Sequence, residues 1–182
     1  ALKPILDCGH LLFGENKVQE ASAKWLDLLK IYKDLEIHMV GGLQSNKINE
    51  AISIFTCIHS VDRKKILEGI NKSLNKDSLL KDVFIQVNIS NESSKGGIGV
   101  SEIDSFLEGS KNCQKINILG LMTMPPPNEE PSVYFALLNK LAKKNSLKYL
   151  SMGMSNDFET AIALGATHIR VGEAVMGPRF QI

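Results

Sequence analysis

Along this chain, short apolar runs trade places with longer segments in which apolar residues recur every three or four positions. The first such segment puts Val18, Ala21, Ser22, Trp25, Leu28 and Leu29 on one helical face, and Leu11-Leu12-Phe13 leads into it as a strand. Further strands are predicted at 37–40, 57–61, 83–89, 116–122, 149–152 and 167–171. The run at 83–89 is almost unbroken in its apolar character, as in strands buried on both faces. Between the strands, a helix capped by Ser45 turns Ile48, Ala51 and Ile52 inward, and one from about Asp62 gathers Ile66, Leu67, Ile70 and Leu74. Ser101 is predicted to cap a helix with Ile103, Phe106 and Leu107 inside. A helix from about Ser132 aligns Tyr134, Leu137, Leu138 and Leu141. The last long helix starts at about Asn156, with Glu159 completing a capping box, and stops at Gly165 in a left-handed turn. A short final element begins in 172–177.

Seven strands alternating with helices, without a linker or a break in composition, predict one α/β domain over 1–182 with a parallel sheet. An open doubly wound sheet and a closed barrel both fit such alternation. No GxGxxG or GxxxxGK[ST] string follows a strand, so a nucleotide crevice has no support. Compact polar strings follow almost every strand instead: Gly14-Glu15-Asn16, Gly41-Gly42-Leu43-Gln44-Ser45-Asn46, His59-Ser60, Asn88-Ile89-Ser90, Thr123, Ser155-Asn156-Asp157 and Arg170-Val171-Gly172-Glu173. A barrel would collect them around one cavity, and an open sheet would spread them along an edge.

Composition narrows the partners. The 182 residues carry 21 basic and 20 acidic side chains for a formal charge of +1, which argues against nucleic-acid binding. No apolar run reaches the length of a membrane span, and residues 1–10 lack a signal-peptide pattern, so a soluble, cytoplasmic protein is expected. Without an initiator Met, an upstream piece is expected to be missing. Cys8, Cys57 and Cys113 are too scattered for a disulfide framework and read as buried thiols. His10, His38, His59 and His168 lie far apart without an HExxH string, so no metal site is expected.

The segment Leu150-Ser151-Met152-Gly153-Met154-Ser155-Asn156-Asp157 carries the most chemistry. A strand turning into a helix exposes backbone N–H groups, and Ser155 adds a hydroxyl to an anion site. A plain cap by Ser155 or Asn156 is the blander alternative. Arg170-Val171-Gly172-Glu173-Ala174 repeats the pattern: Gly172 leaves the backbone open, Glu173 offers its N–H, and Arg170 can face the cavity or form a salt bridge at the barrel's end. Glu15 and Glu20 read equally well as acidic residues at a helix start. Met122, Met124, Met152 and Met154 fit core packing or a pocket floor. The 91–97 loop suits either a lid or a solvated connection.

Taken together, these strings resemble the pyridoxal 5'-phosphate (PLP) homeostasis protein family, relatives of the barrel domain of alanine racemase. The resemblance rests on Phe13-Gly14-Glu15-Asn16-Lys17-Val18-Gln19-Glu20, on His38 with Gly42-Leu43-Gln44-Ser45-Asn46-Lys47, and on His59-Ser60-Val61-Asp62-Arg63. It continues through Val87-Asn88-Ile89 with Ser94-Lys95-Gly96-Gly97, Gly120-Leu121-Met122-Thr123-Met124-Pro125, 151–159 and 170–177. It implies a single-domain (β/α)8 TIM-type barrel holding PLP at the C-terminal ends of its strands. It assigns Ser155, Gly172 and Glu173 to the phosphate and Arg170 to the pyridine nitrogen, with Asn16, His38, Ser60 and Met122 lining the pocket more loosely.

One departure stands out. The family's Schiff-base lysine ends the first strand, about a strand-to-helix unit before Phe-Gly-Glu-Asn. Lys3 is only ten residues before Phe13, and residues 5–10 read as the last turns and glycine stop of a helix. The first strand and its lysine are therefore expected before Ala1, and Lys17, Lys47 and Lys95 are not substitutes. The stretch between Pro127 and Tyr134 also looks short for a loop and helix start. The resemblance implies an intracellular PLP carrier, expected to be a monomer, that holds, buffers or delivers PLP, with apoenzymes as possible acceptors and no robust catalysis. The rival is a PLP-dependent amino-acid racemase or lyase. Such racemases take one acid/base from a C-terminal β-domain, and only 176–182 follow the final turn.

Overall fold

The computed structural model describes residues 2–92 and 95–177. Ser94 of the loop string and the 178–182 tail lie outside the described residues. A short helix, α1 (Lys3–Asp7), opens the fold. Its stop is as predicted, with the His10 N–H reaching back to the Ile5 carbonyl past Gly9. Then follow β1 (Leu12–Glu15), α2 (Val18–Ile31), β2 (Glu36–Met39), α3 (Ile48–Ala51), β3 (Cys57–Val61) and α4 (Lys64–Ser73). Next come β4 (Asp82–Asn88), the two-residue β5 (Ile98–Gly99), α5 (Ile103–Ser110), β6 (Asn117–Met122) and α6 (Pro131–Lys144). The order ends with β7 (Tyr149–Met154), α7 (Phe158–Ala163), β8 (His168–Arg170) and α8 (Glu173–Met176). No helix among the described residues is long and apolar enough to cross a membrane.

All strand pairings are parallel, in the order β1-β2-β3-β4-β6-β7-β8, with β5 paired to β4 alone. Flat, this sheet would hold β2 and β8 about 24 Å apart. Instead the His38 ring on β2 stacks 6.1 Å from the His168 ring on β8, and the His168 ring lies 5.0 Å from that of Phe84 on β4. The sheet is therefore curled into a barrel. Among the described residues its seam lies between β1 and β8, which do not pair.

Side-chain alternation separates two cores. On β3 and β4, Ile58, Val61, Val83 and Ile85 face out to Ile66, Leu67 and Ile70 of α4 in the main core. Cys57 and Phe84 face in and pack with Met122 in a small second cluster. The helices follow from their apolar faces: Val18, Ala21 and Trp25 bury one side of α2, and Phe135, Leu138 and Ala142 one side of α6.

Several local expectations change. Ser45 does not cap a helix: it opens a 3-10 turn (Ser45–Lys47) with no side-chain cap before α3. Ser101 lies inside another 3-10 turn (Val100–Glu102), where the Glu102 carboxylate accepts the Gly99 N–H at 2.7 Å instead. The helix after β7 starts later than Asn156. The Asp157 carboxylate turns back to accept the Met154 N–H at 2.6 Å, and no Asn156–Glu159 box forms. Gly165 closes α7 with φ +96°, as its type predicted. Cys8 is exposed, so only Cys57 and Cys113 are buried thiols. Glu15 is a strand residue rather than part of a helix start. Buried, it accepts the Trp25 indole N–H at 2.7 Å and the Lys24 ammonium at 2.6 Å.

Candidate functional site

Because all strands run the same way, the strings that follow them emerge at one end of the barrel. After β7, Ser155 crosses to the next turn, where its hydroxyl accepts the Ala174 N–H at 3.3 Å in the first turn of α8. Gly172 caps α8, with its carbonyl accepting from Met176 at 2.8 Å. The N–H groups of Gly172 and Glu173 stand ahead of any intrahelical acceptor. A Cβ at Gly172 would meet nothing within 4 Å, so the space in front of this turn is open. A serine hydroxyl and two forward-pointing N–H groups around open space are the donor set for an anion.

Arg170 ends β8 beside this turn. Its Nη2 donates to the Thr123 carbonyl at 3.0 Å, but Nε and Nη1, both sealed from solvent, have no partner among the described residues. Burial lowers its pKa to about 10, partly offset by Asp157, so the group is cationic at neutral pH. Two buried, unpartnered donors on a guanidinium are costly unless an acceptor arrives. The residues present thus fit a ligand carrying an anionic group and a second hydrogen-bond acceptor. No salt bridge holds Arg170 among the described residues.

The other expected residues are spread more widely. Asn16 is exposed just past β1, and its carbonyl lies where a Cβ on Gly41 would stand, 2.1 Å away, so only glycine lets these two loops meet. Ser60 donates to the Gly41 carbonyl at 2.6 Å, tying the same junction to β3. Met122 is fully buried against Cys57 and Phe84, a layer below the open end. The 91–97 loop is pinned in its described part, since Asn88 donates to the Glu92 carbonyl and Gln86 to the Gly96 carbonyl, both at 2.8 Å. Lys17, Lys47 and Lys95 pair with Glu20, Glu50 and Glu92.

His38 turns toward the opposite end of the barrel, into a group the chain spacing concealed. The His59 Nδ1 lies 2.7 Å from the Ser151 hydroxyl, its Nε2 lies 2.9 Å from His38 Nδ1, and His38 Nε2 is 3.5 Å from the Glu36 carboxylate. With Glu36 ionised, His38 carries its proton on Nε2. His59 then donates through Nε2 and accepts from Ser151, which leaves both rings neutral. Burial is the main cause that lowers His38 to about 4 and pushes His59 lower still. Cys57 joins this group, its thiol pushed up by burial. Cys57-Ile58-His59 alone could have signalled it, because an i, i+2 pair shares one face of a strand.

The chain matches the alanine racemase N-terminal domain family over residues 2–179. It is 37% identical to the pyridoxal phosphate homeostasis protein of Aquifex aeolicus, covering 98% of this chain and 81% of that one. It is 33% identical to the protein of the same name from Escherichia coli K12, covering 98% and 80%. Among solved structures, PipY of Synechococcus elongatus PCC7942 without PLP superposes with a TM-score of 0.90 at 33% identity, over 97% of this chain and 86% of that one. PipY with PLP bound gives 0.86. Alanine racemase from Corynebacterium glutamicum, at 17% identity and a TM-score of 0.67, shares the fold. This chain therefore belongs to the alanine racemase N-terminal domain family, on the side of the pyridoxal phosphate homeostasis proteins.

Proposed function

We propose that this protein binds PLP and works in PLP homeostasis, holding, buffering or delivering the cofactor without robust catalysis of its own. The observation that carries the reading is Arg170, whose sealed Nε and Nη1 lack acceptors among the described residues, beside the open turn of Ser155, Gly172 and Glu173. In this reading Ser155 and the N–H groups of Gly172 and Glu173 hold the phosphate, and the Glu173 carboxylate points away from it. Arg170 faces the pyridine nitrogen. Asn16 and Ser60 belong to the rim and Met122 to the floor, whereas His38, turned toward Glu36 at the other end of the barrel, falls outside this pocket. The names of the relatives and the PLP-bound PipY structure support the same reading.

Bound PLP supplies a ring that can accept electrons, and an arginine at its nitrogen limits that ability because guanidinium does not give up a proton near neutral pH. A weaker electron sink is in keeping with a carrier. Acceptors of the delivered PLP would be apoenzymes. The test is titration with PLP, followed by absorbance near the cofactor's visible band, alongside assays with D- and L-amino acids. Saturable binding of one equivalent without turnover is the expected outcome. A protein that takes up no PLP would remove the proposal, and racemisation at ordinary enzymatic rates would replace the carrier reading.

A further inference from the structure

The N-terminal end of the barrel, opposite the Arg170 turn, holds three metal-ligating side chains that the chain itself keeps apart. On the neighbouring parallel strands β2 and β3, His38 and Cys57 are register partners. His59, two residues beyond Cys57, projects from the same face. One donor atom from each of His38, Cys57 and His59 lies within 4.8 Å of the others, and all three residues are buried. Metal–nitrogen and metal–sulfur bonds of about 2.0–2.3 Å require the two ring nitrogens, 2.9 Å apart, to part slightly and the Cys57 sulfur to close in modestly.

We propose that His38, Cys57 and His59 form a structural site for a soft closed-shell cation, Cu(I) or Zn(II). Thiolate and imidazole donors favour such ions over Mg(II) or Ca(II). Met122 packs with Cys57 in the same inner cluster and adds a polarizable neighbour. The outer partners are already in place. His59 has Ser151 at its Nδ1 and His38 has Glu36 near its Nε2, so each ring is oriented by its far nitrogen while His59 Nε2 and His38 Nδ1 face one another at 2.9 Å. Outer contacts of this kind orient imidazole ligands in metal sites.

Binding moves the His59 proton from Nε2 to Nδ1, whose N–H then donates a hydrogen bond to the Ser151 oxygen as the serine hydroxyl hydrogen rotates away. The Cys57 S–H bond breaks, a sulfur–metal bond forms, and one proton leaves to solvent. Glu36 and Asp82, at the first positions of β2 and β4, place negative charge at this end of the barrel, where a cation would enter. The N-terminal face of such barrels serves stability rather than reactions. A bound ion therefore cross-links β2 to β3 and leaves the Arg170 end untouched.

The test uses Cys8→Ser protein, because Cys8 is the exposed thiol that could take metal adventitiously. Cu(I) under anaerobic conditions and Zn(II) are each offered in competition with a chromophoric chelator. The expected result is one equivalent of at least one ion with sub-micromolar affinity, a raised thermal midpoint, and about 100-fold weaker binding after Cys57→Ser. X-ray absorption of the loaded protein should show one sulfur and at least two nitrogen neighbours. This decides the matter even if Cys57→Ser does not fold. Failure to take up either ion, or a first shell without sulfur, would overturn the site.

Discussion

The Ser155 hydroxyl accepts the Ala174 backbone N–H at 3.3 Å, so the turn after β7 and the first turn of α8 are one structural unit. Two loops nineteen residues apart are thereby set around the space in front of Gly172. A small anion could recruit that hydroxyl as a donor while leaving the helix start intact.

Removing this hydroxyl should weaken PLP retention about fivefold in Ser155→Ala, the worth of one net hydrogen bond. Equilibrium dialysis against PLP reads the change. Retention equal to the parent's would take Ser155 out of the phosphate site.

Arg170 separates stability from binding. Among the described residues its guanidinium makes one hydrogen bond and keeps two sealed donors unpartnered, so Arg170→Met should raise the stability of PLP-free protein by about 1–2 kcal/mol. The same change should cost PLP affinity roughly 10- to 100-fold. Urea unfolding and PLP titration of one preparation check both signs. A variant less stable without PLP would mean that Arg170 serves the fold.

Gly41 and Gly42 are adjacent but not equivalent. A Cβ at Gly41 would stand 2.1 Å from the Asn16 carbonyl oxygen, whereas one at Gly42 meets nothing within 4 Å. Gly41→Ala should lower stability by about 1–3 kcal/mol, and Gly42→Ala should cause no steric loss. Thermal melts of the pair decide it, and equal midpoints would contradict the close approach of the two loops.

Acid should destabilise chelator-treated protein through the buried imidazoles. Burial holds His38 near 4 and His59 lower, below the ordinary 6.5, so the folded state binds fewer protons than the unfolded state. Their contribution is fully present above about pH 6.5 and is lost as pH falls toward 4. The slope is roughly 1.4 kcal/mol per pH unit for each histidine. Urea midpoints from pH 7 to pH 4.5 should fall accordingly, and His59→Gln should flatten the trend. A slope unchanged in that variant would assign acid sensitivity elsewhere.

Much of this was legible along the chain because helices and strands announce themselves locally. The apolar run at 57–61 coincides with β3 (Cys57–Val61), and Ile66, Leu67 and Ile70 face inward on α4 as their spacing requires. Helix caps are less legible. Ser45, Ser101 and Asn156 are all good capping types, but near Ser101 and Asn156 a carboxylate from Glu102 or Asp157 takes the backbone N–H, and Ser45 opens a 3-10 turn without a side-chain cap. Composition cannot rank rivals that sit one or two residues apart.

The sequence by itself determined the alternation of strand and helix, the polar strings after the strands, and the residue types at Ser155, Arg170 and Gly172, since periodicity and turn chemistry act over a few residues. Only the tertiary structure decided that the sheet curls, bringing β8 back to β2. It also left Arg170 with two donors unpartnered among the described residues and set His38, Cys57 and His59 around one point. Those relations depend on strand register and barrel closure, which join residues tens of positions apart and leave no periodic trace in the chain.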